Sequence, residues 1–242
     1  MVSVRHRLLL LFFPLLLLGG SGGCHFNNAR SPMIFETIVV GQLGVNCFIL
    51  ADQETKEGVV VDPGADTERI LAAIRAKGLT IRYVINTHGH FDHMGGNRRL
   101  LAETGATLMI HAADEPYLTQ SAKSAAAYGL AADNSPAPGT HLTEGQSIRF
   151  GRHEIRVIHT PGHTPGGCCL YLAEEGILLS GDTLFAESIG RTDFPGGSYD
   201  DLAAAVKGKL FTLPDATKVY PGHGPMTTIA HEKAHNPYLG SK

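Results

Sequence analysis

Thr87-His88-Gly89-His90-Phe91-Asp92-His93-Met94-Gly95-Gly96 is the stretch that decides how this chain is read. It holds four metal-capable side chains, His88, His90, Asp92 and His93, within six residues. Neither a strand nor a helix turns four such neighbours to one side. A turn can, and Gly89 and the Gly95-Gly96 pair permit the dihedrals it needs. Imidazoles suit borderline metals such as zinc, and a carboxylate adds compensating charge. A strand-like run, Ile81 to Asn86, precedes the stretch, and a helical pattern, Gly96 to Thr104, follows it. The cluster therefore sits at the carboxyl end of a strand, where α/β sheets hold their ligands.

Three more polar residues share that setting. His163 lies in Thr160-Pro161-Gly162-His163-Thr164-Pro165-Gly166, straight after a strand. Asp182 lies in Leu179-Ser180-Gly181-Asp182-Thr183 and His223 in Tyr220-Pro221-Gly222-His223-Gly224-Pro225, each past a strand end. Gly or Pro beside each one directs the backbone. One such His alone reads as a solvated loop residue; the joint pattern does not.

Around these motifs the chain alternates strands with helices, which indicates an α/β layered domain. Ile34 to Val40, Asn46 to Ala51 and Gly58 to Val61 read as strands. A helix capped by Asp66 or Thr67 buries Ile70, Leu71 and Ile74 and stops at Gly78. Residues 119–142 break the rhythm as a long loop rich in Ser, Ala, Gly and Pro. Strands then return, with a helix at Tyr199 to Leu210, so the theme runs twice and predicts two similar halves packed face to face.

A 43% hydrophobic and 18% charged composition supplies a full core. The formal charge of −3 and the absence of Trp disfavour a nucleic-acid partner. Cys47, Cys168 and Cys169 lie in strand-like runs. Adjacent strand residues point to opposite faces, so Cys168 and Cys169 are read as unpaired core residues.

Arg5 and Arg7, the apolar run Leu8 to Leu18 and the small residues 19–23 have the parts of an export signal. The run is too short to span a bilayer as a helix. Residues 24–32 read as a tether and 33–242 as the functional domain. Cys24 after small residues resembles a lipoprotein processing site, although Ser21 stands where Leu is usual. The expectation is an exported protein, periplasmic or lipid-anchored, that meets a membrane only through this end.

From about residue 34 to 228, the HxHxDH motif with His163, Asp182 and His223 downstream resembles the metallo-β-lactamase superfamily. The resemblance implies a four-layer αβ/βα sandwich with two divalent metals at one edge. Zinc is expected there, with iron and manganese also compatible. It implies His88, His90 and His163 on one metal, Asp92, His93 and His223 on the other, and Asp182 bridging. Asp62, in Val61-Asp62-Pro63-Gly64, matches a position that supports the site from behind; by spacing alone it is equally a turn residue. The segments Gly181 to Phe185, Gly190-Arg191 and Tyr220 to Gly224 look like the hydroxyacylglutathione hydrolase (glyoxalase II) branch. That implies hydrolysis of a small-molecule thioester by a hydroxide shared between the metals, with Asp92 passing a proton outward. Arg191 then either binds a substrate carboxylate or pairs with Asp193 or Glu187. Only 19 residues follow His223, so the chain looks like a short form lacking the helical extension that helps bind glutathione.

Three alternatives accompany this reading. Gly190 to Phe194 and Leu210 to Pro214 resemble persulfide dioxygenases, which hold one iron; His88, His163 and Asp182 would match its ligands. A β-lactamase-type enzyme and a non-enzymatic metal-binding lipoprotein complete the set.

Overall fold

The computed structural model describes residues 32–239. Residues 1–23, Cys24 and all of the tether except Pro32 lie outside the described residues. Among the described residues no helix is long and apolar enough to cross a membrane.

Runs of β-branched and aliphatic residues build two six-stranded sheets. In the first, β1 (Met33–Val40), β2 (Val45–Asp52), β3 (Glu57–Val61), β4 (Thr80–Ile85), β5 (Thr107–His111) and β6 (Thr140–Leu142) lie side by side in chain order. The first three pair antiparallel and the rest parallel. Parallel neighbours need crossovers. These are supplied by α1 (Thr67–Lys77), then α2 (Phe91–Met94) with α3 (Asn97–Thr104), then α4 (Glu115–Leu118) with α5 (Ser121–Ala127). The second sheet runs β14-β13-β10-β9-β8-β7, formed by β7 (Ser147–Phe150), β8 (His153–His159), β9 (Cys168–Leu172), β10 (Ile177–Gly181), β13 (Lys218–Pro221) and β14 (Thr227–Thr228). A small hairpin, β11 (Leu184–Phe185) and β12 (Ser188–Ile189), follows β10; α6 (Tyr199–Gly208) and α7 (Ile229–His235) belong to the second half.

Three apolar layers account for the stacking. Phe48, Leu50, Val61 and Ile85 of the first sheet meet Phe150, Val157, Leu170 and Leu179 of the second. The opposite face of the first sheet packs Ile49, Val60 and Val84 on Ile70, Ile74 and Leu100 of the helices. The opposite face of the second packs Tyr171, Leu178 and Val219 on Leu202, Val206 and Ile229. This is the four-layer αβ/βα sandwich. Cys168 joins the central layer and Cys169 the outer one, as strand alternation requires, and both are free thiols, as is Cys47.

Two local expectations are corrected. The segment 119–142 is not one loop, because Ser121–Ala127 forms α5. Its four alanines favour helix more than its serines oppose it. Asp66 does stand at the N-cap of α1, but its side chain makes no cap bond. It accepts instead from the Gly41 N–H at 3.0 Å and from Arg69 at 3.2 Å. The Gly78 stop is as expected, left-handed at φ 62°.

Candidate metal centre

The site forms where strand ends of both sheets open on one edge. β3 leads to Asp62, β4 to His88 and His90, β8 to His163, β10 to Asp182 and β13 to His223. The short helix α2 then carries Asp92 and His93, so the HxHxDH run is half turn and half helix. The sheets are stitched together here. The Asn46 N–H donates to Gly222 O at 2.7 Å, and its side-chain amide donates to Pro221 O and Gly224 O at 2.9 and 3.0 Å. The Cys168 N–H donates to Thr87 O at 2.8 Å.

All seven expected ligand residues converge. His88 Nε2 and His163 Nε2 lie 3.1 and 2.9 Å from His90 Nδ1. His93 Nε2 and His223 Nε2 are 3.2 Å apart, and Asp92 Oδ2 is 3.4 Å from His223 Nε2. Between these triads stands Asp182, with Oδ2 3.6 Å from both His163 Nε2 and His223 Nε2 and Oδ1 3.5 Å from His93 Nε2. Gly222 is required at this point, because a Cβ there would collide with Asp182 Oδ1.

The far nitrogens show which lone pairs face inward. His163 Nδ1 donates to Arg191 O at 2.8 Å and His223 Nδ1 to Leu43 O at 3.1 Å. His93 Nδ1 lies 3.1 Å from Asp62 Oδ2, and His88 Nδ1 lies 3.1 Å from Thr87 Oγ1, whose hydroxyl donates to Asp62 Oδ2 at 2.7 Å. Such outer contacts orient metal-binding imidazoles. His88 Nε2 and His163 Nε2 then present lone pairs inward, as metal ligands do. The spacing of the inward nitrogens fits, since two nitrogens about 2.0–2.1 Å from a tetrahedral zinc sit about 3.3 Å apart. Asp182 Oδ1 is buried with no hydrogen-bond partner. The donor set therefore fits two cations.

Asp62, His88 and His93 also lie within 4.8 Å of one another. Asp62 is nevertheless a support: Oδ1 accepts from the Thr87 N–H at 2.7 Å, and Oδ2 is taken by Thr87 Oγ1 and His93 Nδ1. Its backbone is left-handed, at φ 50°, an unusual conformation for a non-glycine residue.

Charge follows the same geometry. Burial works against a charge on His93, but Asp182, Asp92 and Asp62 outweigh it and lift its pKa to about 10. A metal taking Nε2 must therefore displace a proton. Burial and the neighbouring imidazoles hold His88 neutral and push His90 down to about 3. Burial opposes charge on Asp92 as well, yet His93 and His223 hold its carboxyl below the ordinary range.

Three supporting residues were not anticipated from sequence. Asp114, fully buried, accepts from the Gly89 N–H at 2.8 Å, Thr164 Oγ1 at 2.7 Å and the Gly166 N–H at 2.6 Å. It ties the His88–His90 turn to the His163 loop. Burial raises its carboxyl pKa, with these three donors opposing. Asn86 donates to His93 O at 3.1 Å, and Asn46 holds the His223 turn as described above. A strand-end acid, the rule that finds Asp182, also finds Asp114.

The centre forms part of the wall of a cavity of about 600 Å³, lined by His90, Asp92, His163 and Asp182. Arg191 is in its wall too, but Nε and Nη2 each donate at 2.8 Å to Asp193, so its fork is bidentate on a chain carboxylate. Glu187 is instead 2.9 Å from His231. His159 closes β8 with Nε2 3.0 Å from Pro165 O, in the His163 loop.

The model of the metallo-beta-lactamase superfamily matches residues 40–223. The chain is 34% identical to hydroxyacylglutathione hydrolase GloC of Haemophilus influenzae over 212 residues, 87% of this chain and all of that one. It superposes on the BLEG-1 B3 metallo-beta-lactamase with a TM-score of 0.80 at 35% identity, covering 86% of this chain and 100% of that one. It superposes on TTHA1623 in a di-iron-bound form with a TM-score of 0.78 at 37% identity, covering 84% and 100%. With sandwich, ligand set and sequence in agreement, the chain belongs to the metallo-beta-lactamase superfamily.

Proposed function

We propose that this protein is an exported dinuclear metallo-hydrolase, with zinc as its metals, that cleaves small hydroxyacyl thioesters, the chemical class to which hydroxyacylglutathiones belong. One observation carries the hydrolase reading: two ligand triads meet on a single carboxylate, Asp182, in the wall of a cavity large enough for a substrate. A structural zinc site is closed, whereas this one borders that cavity. When bound, the metals lower the pKa of water toward about 7 and polarise a carbonyl oxygen. The rest is the work of the chain. His88, His90 and His163 hold one side, Asp92, His93 and His223 the other, and Asp182 spans them. Asp92, which borders the cavity as an ionised carboxylate, would pass the proton of the attacking water outward to solvent. A thiolate leaves without strong acid assistance, because thiols have a pKa near 8.5. The 34% identity to a hydroxyacylglutathione hydrolase supports the thioester assignment. The convergence of Asp92, His93 and His223 supplies the ligands that a second metal would need, beyond the three a single-iron persulfide dioxygenase uses.

The test is metal content followed by turnover. Purified protein is expected to hold about two metals per chain and to hydrolyse a lactoyl thioester. Chelation should abolish turnover and re-addition of zinc restore it. One iron per chain with persulfide-dependent oxygen uptake, or rapid nitrocefin cleavage without thioester cleavage, would overturn it. Residues 1–23 are proposed to direct export, with lipid on Cys24. Fatty-acid labelling should then mark the parent chain and not Cys24→Ala; equal absence of label from both would remove the lipid.

A further inference from the structure

The cavity is walled largely by apolar and aromatic side chains: Leu43, Phe91, Tyr117, Tyr128, Phe185 and Phe194. Two of them frame His90, the Phe194 ring at 5.7 Å and the Tyr117 ring at 6.4 Å, both edge to face. They are tied across the opening, since Tyr117 Oη donates to Pro195 O at 3.3 Å. Recognition next to the reacting centre is therefore by apolar surface, the usual lining of a small-molecule pocket.

Arg191 is the one Lys or Arg side chain that lines the cavity among the described residues. Its charge is already matched. Both fork nitrogens lie 2.8 Å from the Asp193 carboxylate, and its guanidinium carbon sits 3.7 Å over the Phe194 ring. A substrate carboxylate reaching Arg191 would exchange one bidentate carboxylate partner for another, with no net gain. It would also leave Asp193 as an uncompensated like charge at its side. The nearest basic residue on α5, Lys123, is exposed and is not part of the lining.

We infer that Asp193 masks Arg191, the one Lys or Arg of the cavity wall among the described residues, so that beyond the metal centre the site has no free basic side chain for an anionic thiol such as glutathione and selects thioesters whose acyl and thiol parts carry no charge. This rests on the hydrolase reading above and specifies its substrate class. The reaction is plain hydrolysis: water adds across the acyl–sulfur bond, giving a carboxylic acid and a free thiol.

The experiment compares one acyl group on two thiols, S-lactoyl-N-acetylcysteamine, which is uncharged, and S-lactoylglutathione, using metal-loaded full-length protein. The parent is expected to favour the uncharged thioester by at least about tenfold in kcat/KM. Asp193→Asn frees the guanidinium, and the preference should narrow by about fivefold, the scale of an exposed ion pair. The narrowing should come through a lower KM for the glutathione thioester. The double variant Arg191→Gln/Asp193→Asn removes both charges of the pair together and should move the preference less than about twofold. A parent that prefers the glutathione thioester, an Asp193→Asn variant with an unmoved ratio, or selective loss of the glutathione substrate in Arg191→Gln/Asp193→Asn would overturn the inference while the hydrolase reading stands. Turnover of neither thioester would overturn both.

Discussion

Asp182→Asn is expected to lower metal content from about two per chain to one or fewer and to cut turnover by at least about 10³-fold. The substitution keeps shape and removes charge. Five of the seven converging residues are histidines, so Asp92 and Asp182 would supply all the negative charge in contact with the two proposed dications. Two unit charges about 4 Å apart interact by about 4 kcal/mol at an effective dielectric near 20, about a thousandfold in an equilibrium constant. The amide also brings an N–H₂ donor either to the Oδ2 position, 3.6 Å from His163 and His223 Nε2, or to the Oδ1 position, 3.5 Å from His93 Nε2. Metal analysis of parent and variant after one purification, with lactoyl thioester kinetics and circular dichroism as a fold control, checks this. Two metals retained with turnover within tenfold of the parent would show that Asp182 does not span the pair.

Asp114→Ala should lower the Tm by about 10 °C and weaken metal binding by about 10- to 100-fold, without removing any metal ligand. It orphans three donors, the Gly89 N–H, Thr164 Oγ1 and the Gly166 N–H. Each unsatisfied buried donor costs about 1–3 kcal/mol. A total of about 4 kcal/mol lowers the Tm of a domain this size by roughly 2–4 °C per kcal/mol. The metal effect is of the size seen when outer partners of ligands are lost. Scanning calorimetry of the metal-free proteins separates the first effect from the second. Asp114→Asn keeps the volume and should fall between parent and alanine on both measures, which serves if the alanine protein does not fold. A Tm within about 2 °C of the parent and unchanged metal affinity would refute the clamp.

The seven converging residues were legible because each belongs to a local signal: the HxHxDH run just past a strand, or a strand end, then Gly, then His or Asp. Asp114 shares the strand-end position but stands alone there, and its role comes from partners 25 to 52 residues away. Asn46 is a plain strand residue in sequence; it acts on Pro221, Gly222 and Gly224, which only sheet-to-sheet packing brings near. The short helix α5 was hidden because its serines and the neighbouring Gly and Pro read as loop, while its alanines are helix formers whatever flanks them. Arg191 shows the limit most clearly. Its sequence allowed a substrate contact or an ion pair, and the pair with Asp193 is visible only once the side chains are placed.

The order of strands and helices, the identity of the donors and their location at strand ends are properties of short segments. They were determined by the amino-acid sequence alone, because side-chain periodicity and turn chemistry act over a few residues. The stacking of two sheets decided the rest: which nitrogens face one another across the edge, and that Asp182 lies between both triads. Each of these is a relation between groups far apart in the chain, and electrostatic and hydrogen-bond partners exist only once distance in space replaces distance in sequence.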